Sequence, residues 1–166
     1  MLIEKAIGNI KDYPIGTRRI ENVYLEWFEL EKKLMRKTLE SGEEVGIRLS
    51  SDENGHAHLH EGDILYADDE RVLVVELLPC ELTEIEVHSM KEMGRLCFEI
   101  GNRHLSLAIE DDRVTIPYDA PTFEYLDKLG FHPAKVEKKF SHFTVCHAHG
   151  HSHDQKEHDA GGHHHV

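Results

Sequence analysis

Nine of the fifteen histidines in this 166-residue chain fall between residues 142 and 166. They are His142, His147, His149, His151, His153, His158, His163, His164 and His165. In the run Cys146-His-Ala-His-Gly-His-Ser-His153 an imidazole recurs at every second residue behind a thiol. Imidazole is the commonest protein ligand for borderline divalent metals, and it binds in the neutral form that prevails near pH 7. The intervening Gly, Ser, Asp and Lys residues supply no apolar pattern, so the tract reads as a disordered chelating tail. His147, His149, His151 and His153 are its candidate ligands. The spaced histidines and the Val166 end differ from the unbroken run of an affinity tag. Protonating the nine imidazoles would turn an acidic tail strongly basic, so protons and metal must compete for it.

A second group of interest is Glu99-Ile-Gly-Asn-Arg-His104. Here a histidine follows what reads as the end of a helix, where free carbonyls favour a cation. One imidazole cannot hold a divalent ion, but a two-fold dimer places a residue near its axis against its own copy and so supplies two ligands. A third group, His56-Ala-His-Leu-His60, alternates. In extended chain its three imidazoles would share one face as an auxiliary metal site; otherwise it is a solvated polar loop after Asn54-Gly55.

The remaining reactive side chains point to no chemistry of their own. Cys97 lies on the apolar stripe of a helix and is assigned to the core, while Cys146 is a soft ligand candidate beside the first tail histidine. His88 and His132 flank helices and are assigned structural roles. Catalysis would need a closed constellation with an open coordination position and a placed base. No His-Glu-x-x-His motif and no recognisable nucleophile grouping occurs, so an enzyme is not expected.

The elements that must position these groups fall into two halves. Up to residue 77 the chain reads as an all-β domain, a small barrel or sandwich of about six strands. Val23, Leu25 and Trp27 alternate, Leu34–Leu39 and Val45–Leu49 flank the turn Ser41-Gly42, and Ile64–Tyr66 and Val72–Leu78 bracket Asp68-Asp-Glu70. The second half, residues 78–141, changes grammar after Pro79. A strand over Leu82–Val87 precedes Ser89 and Glu92 at capping-box spacing, which opens a helix with Met93, Leu96, Cys97 and Ile100 on one face. Gly101-Asn102 is the expected left-handed stop. A hairpin around Asp111-Asp112 follows, then a helix capped by Asp119 that carries Phe123, Leu126 and Leu129, then an edge strand over Lys135–Phe140. The order β-α-β-β-α-β is ferredoxin-like. The fold class is therefore α+β, with residues 142–166 as a tail.

Charge narrows the partners. Thirty-two acidic residues against nineteen basic ones leave a net charge of −13. Such a surface repels phosphate backbones and anionic membranes and attracts cations. No apolar stretch reaches membrane-spanning length, and Glu4, Lys5 and Asn9 break up the N-terminus, so no secretory leader is expected. Three cysteines without a disulfide framework suit a reducing cytoplasm.

The stretch Met90-Lys-Glu-Met-Gly-Arg-Leu-Cys-Phe-Glu-Ile-Gly-Asn-Arg-His104, with Ile109–Asp112 and Tyr118–Gly130, resembles the metal-binding domain of UreE-type urease accessory proteins. Gly62-Asp-Ile-Leu-Tyr66 and the segment around Trp27 extend the resemblance to the first half. It implies a cytoplasmic nickel metallochaperone that delivers Ni(II) to the urease apoprotein with other accessory proteins, including a GTPase. It also implies a homodimer formed through the second domain, with His104 as the interfacial ligand and a partner-binding surface on the first domain. Some relatives carry a further histidine pair after the hairpin; Tyr118 and Ala120 stand there in this chain, so that site is not expected. Zn(II) and Cu(II) compete for such nitrogen ligands in vitro, because imidazole alone does not select nickel. The alternative is a His-rich nickel or zinc store with no dedicated client.

Overall fold

The computed structural model describes residues 1–51 and 58–144. The first domain holds seven strands: β1 (Leu2–Ile3), β2 (Gly8–Asn9), β3 (Arg19–Leu25), β4 (Leu34–Thr38), β5 (Glu44–Arg48), β6 (Asp63–Ala67) and β7 (Arg71–Leu77). They form a three-stranded sheet ordered β1-β5-β4 and a four-stranded sheet ordered β2-β6-β7-β3. Two turns read from sequence close the expected antiparallel hairpins, β4 with β5 and β6 with β7. At the second, the Asp68 carboxylate accepts from the amides of Glu70 and Arg71, both at 2.8 Å. Two pairings are parallel, β3 with β7 and β1 with β5, and local patterning does not reveal them.

Strand β7 explains why its sequence is apolar almost throughout. Leu73, Val75 and Leu77 join Val23, Leu25, Val45 and Ile47 in the core between the two sheets. Val72 and Val74 of the same strand bury the opposite face with Ile64, under Tyr13 and Ile15. A strand covered on both sides loses the alternation that marks a half-exposed one. Trp27, expected to continue the β3 alternation, instead starts a 3-10 turn (Trp27–Glu29) and is only half-buried.

The second domain runs β8 (Cys80–Glu86), α1 (Met90–Asn102), β9 (Ala108–Ile109), β10 (Arg113–Pro117), α2 (Ala120–Lys128) and β11 (Ala134–Lys138). Its sheet is ordered β11-β8-β10-β9 with every neighbour antiparallel, which is the ferredoxin-like arrangement. Ile85 and Val87 of β8 and Val114 and Ile116 of β10 meet Leu96 and Ile100 of α1 and Leu126 of α2. Full burial of one such side chain stabilises by about 1.5–3 kcal/mol. Phe123, placed by its spacing on the inward face of α2, instead tilts against Tyr118; Thr122 and Leu126 are the buried residues. Among the described residues no helix is long and apolar enough to cross a membrane.

After β11 the chain returns to the first domain. Phe140 and Phe143 stack at 4.8 Å between ring centres, and each meets the Trp27 ring edge-on, at 5.2 and 5.4 Å. Lys139 pairs with Glu61 and Glu76 across the same junction. His142 and Phe143 were assigned to the tail by composition, but the aromatic packing of Phe143 ties this stretch to the folded body.

Candidate metal centre

Helix α1 delivers His104. Ser89 caps it, its hydroxyl accepting from the Glu92 amide at 3.2 Å. The reciprocal bond of the capping box is displaced by one residue: the Glu92 carboxylate accepts from the His88 amide, at 2.7 Å, rather than from Ser89. At the other end the expected left-handed stop at Gly101-Asn102 is not used. Both residues stay in the helix, Arg103 is the C-cap, and His104 takes the left-handed conformation at φ 55°. The physical reason is the position of the core residues. Ile100 is fully buried and Leu105 packs on the same cluster, so the chain must reverse between them. An apolar pair straddling a left-handed residue is the usual signature of such a helix end. The His104 amide donates to the Gly101 carbonyl at 3.0 Å.

A non-glycine residue in this conformation costs about 1–2 kcal/mol, so its surroundings must hold it. Arg103 does so. Its Nε donates to Thr122 Oγ1 at 2.9 Å, and its guanidinium lies 4.9 Å from the centre of the Tyr125 ring. Tyr125 in turn donates to Glu99 at 2.7 Å. Asp119 caps α2, and hydrogen bonds from the Thr122 hydroxyl and amide hold its carboxyl below the usual range. The end of α1 is thus tied to the start of α2, and His104 is exposed beyond that tie. Arg103 is a positioning residue that the sequence reading missed; its place next to the candidate ligand was the only available sign.

The C-terminal segment comes back to the same place. Leu107 and Thr144 exchange two backbone hydrogen bonds, at 3.2 and 2.8 Å, in an antiparallel bridge. Thr144 therefore sits beside a residue three positions from His104. The tail candidates His147, His149, His151 and His153, with Cys146, lie outside the described residues, as does His56. Among the described residues no group of three or more His, Cys, Asp or Glu side chains stands together to hold a metal ion. Cys80 and Cys97 are half-buried, and burial raises both thiols, which disfavours the thiolate a metal needs. His88 and His132, assigned structural roles from sequence, are instead exposed and line an open cleft of ≈ 620 Å³ with Glu84, Glu86 and Glu92.

A β domain followed by a ferredoxin-like domain, with one histidine at a helix end and the C-terminal segment anchored beside it, defines a two-domain α+β protein with a candidate metal ligand. Family models agree with this architecture. Residues 3–78 match the UreE urease accessory protein N-terminal domain and residues 80–166 match the C-terminal domain. Proteins named urease accessory protein UreE resemble the chain over most of its length. That of Bifidobacterium longum subsp. infantis is 43% identical over 150 residues, covering 90% of this chain and 65% of the relative. Those of Flavobacterium johnsoniae and Acetivibrio thermocellus are 35% and 40% identical; each alignment covers 92% of this chain, and 92% and 97% of the respective relative. The chain belongs to the UreE urease accessory protein family.

Proposed function

We propose that the protein is a cytoplasmic nickel carrier for urease assembly. It works as a homodimer joined through its second domain and passes Ni(II) to the urease apoprotein with other accessory proteins, a GTPase among them. The observation that carries the reading is His104: one fixed, exposed imidazole per chain, held in a costly backbone conformation by the Arg103 tie. Such strain persists where the surroundings impose it, and it concentrates at functional positions. A single ligand fits a site completed by a second copy.

The outward face of α1 supports that pairing. Gly94, Phe98 and Gly101 lie at i, i+4 and i+7, and Phe98 is 66% exposed. A side chain at either glycine would meet nothing within 4 Å in the monomer. Each glycine costs about 1 kcal/mol inside a helix, a cost with a purpose if another backbone approaches there. The Leu107–Thr144 bridge supports participation of the tail, because it anchors the residue that precedes the tail beside the segment that follows His104. A cargo site must also release its ion, and few ligands with a detachable contribution suit that better than a closed four-ligand cage.

Isothermal titration of the full-length dimer with Ni(II) tests the reading. His104→Ala should abolish the tightest site and leave weaker tail binding, and an unchanged tightest site would overturn it. A metal store would lose nearly all useful binding with the tail alone, whereas a carrier keeps one dimer-dependent site.

A further inference from the structure

We infer that His58 and His60 form a second divalent-metal site on the first domain, separate from the His104 centre. The two imidazoles stand together, with ring centres 4.7 Å apart and ring planes at 77°. Two imidazoles bound in adjacent positions of one octahedral ion, at metal–nitrogen distances of about 2.1 Å, have ring centres about 4.6 Å apart and are free to stand edge to face. The observed pair already has that separation.

The pair is built into the fold. Leu59 between them is buried, 2% exposed, and its amide donates to the Leu30 carbonyl at 2.9 Å. With Leu59 pinned inward, its two neighbours are turned to the solvent side together, as alternation in extended chain requires. His60 is fixed further by Asp63. The Asp63 carboxylate accepts from the His60 amide at 2.7 Å and lies 3.6 Å from His60 Nδ1. Its other oxygen accepts from Asn9 Nδ2 at 3.1 Å, which ties the group to β2. Gly62 completes the turn at φ 81°, where a side chain would strike Ile10 and Asn9. At 3.6 Å the approach of Asp63 to His60 Nδ1 is an electrostatic contact rather than a hydrogen bond; a carboxylate drawn in behind one ring nitrogen orients a histidine and supports the other nitrogen as a metal ligand. Asp63 is 8% exposed, so it acts from behind rather than as a ligand.

The donor set is two neutral imidazoles with water in the remaining positions. This suits Ni(II), Cu(II) or Zn(II) and excludes Mg(II) and Ca(II), which require oxygen ligands. A site of two imidazoles and water exchanges its ion readily, so it is a loading or holding position on the first domain.

The test is a Ni(II) titration of isotope-labelled full-length protein followed by NMR. The backbone amide signals of Asn9, Leu59 and Asp63 should shift or broaden to saturation. In His58→Ala/His60→Ala they should stay at their metal-free positions, while signals of Leu105 and Leu107 respond as in the unmodified chain. Asp63→Asn, which keeps the shape of the residue, should weaken the response at Leu59 about tenfold or more. No response at Asn9, Leu59 and Asp63, or the same response in the double variant, would overturn the site. Neither result bears on the nickel-delivery reading, which stands or falls on His104→Ala.

Discussion

His104 pairs a candidate ligand with a backbone conformation that favours glycine, and the two properties can be separated by substitution. His104→Ala removes the imidazole and keeps the left-handed cost, whereas His104→Gly removes both. The glycine variant should therefore be more stable than the alanine variant by about 1 kcal/mol, read from thermal or denaturant unfolding, with both lacking the tight nickel site. Equal stabilities would mean that φ 55° costs nothing here. A different kind of single-residue effect is expected at Glu21, which is 8% exposed. Hydrogen bonds from Ser41 and from Arg71 hold its carboxyl below the ordinary range. The folded state thus binds the Glu21 proton more weakly than the unfolded chain. The stabilisation is fully present above the unfolded value of about 4.3 and is lost as pH falls through the lower folded value. Glu21→Gln should cost about 1 kcal/mol at neutral pH and converge with the unmodified chain on acidification; a constant gap down to acid pH would contradict this.

Helix α1 is where the site's rigidity originates, so changes that spare the ligand should still be felt by the metal. Arg103→Ala leaves His104 in place but removes the bond to Thr122 and the stacking on Tyr125. We expect a stability loss of about 1–2 kcal/mol and weaker nickel binding at the tight site with unchanged stoichiometry. Ser89→Ala, at the far end of the helix, should cost about 1 kcal/mol with little effect on nickel affinity. If the two variants weaken nickel equally, the tie between the helices does not position the ligand. These elements differ in how well the sequence announced them. The Ser89 and Asp119 caps, the Met93-to-Ile100 stripe and the two acidic or glycine turns are local signals, and each was legible. The parallel pairing of β3 with β7 depends on residues about fifty positions apart, and no local pattern encodes it. The stop of α1 was misplaced because Gly101 and Asn102 are the permissive residues, while burial of Ile100 and Leu105 overrode permissiveness. Phe143 was cut off with the histidines because composition changes before packing does. At the candidate site, His104 was legible as an exposed histidine after a helix; the Arg103 tie and the Thr144 anchor were not, since both act through contacts between distant segments.

The packing of the C-terminal segment makes the boundary of the tail a measurable property of the folded protein. A chain ending at Thr144 should melt close to the full-length apo protein while binding fewer nickel ions. A chain ending at Phe140 loses Phe143 from the aromatic cluster with Trp27 and loses the Leu107 bridge. It should be less stable by about 2–4 kcal/mol, the range for a large apolar side chain removed from a packed site. If the two truncations melted alike, residues 141–144 would not be part of the fold. Protons should act on the remaining binding in two stages. A free imidazole titrates near ~6.5, and ligand histidines must be neutral, so binding weakens as pH falls below that value. Nickel held by the tail is expected to be released first, and nickel held at the dimer axis to persist to lower pH. Titrations at a series of pH values on the full chain and on the chain ending at Thr144 would show two separable losses. A single shared range would contradict the division into an anchored and an unanchored site.

The bridge between Leu107 and Thr144 also decides how the protein behaves on dilution. Position 147 is three residues from an anchor that itself lies beside the chain of His104, a span of about 10 Å when extended. A ligand tethered so closely meets its partner at an effective concentration in the millimolar range, set by the tether and unaffected by how many copies a cell contains. If the tail feeds the His104 site, that step is intramolecular, and dilution acts on it only through the dimer itself. A peptide of residues 145–166 added to a chain ending at Thr144 should enhance nickel binding at the His104 site only when supplied at about millimolar concentration.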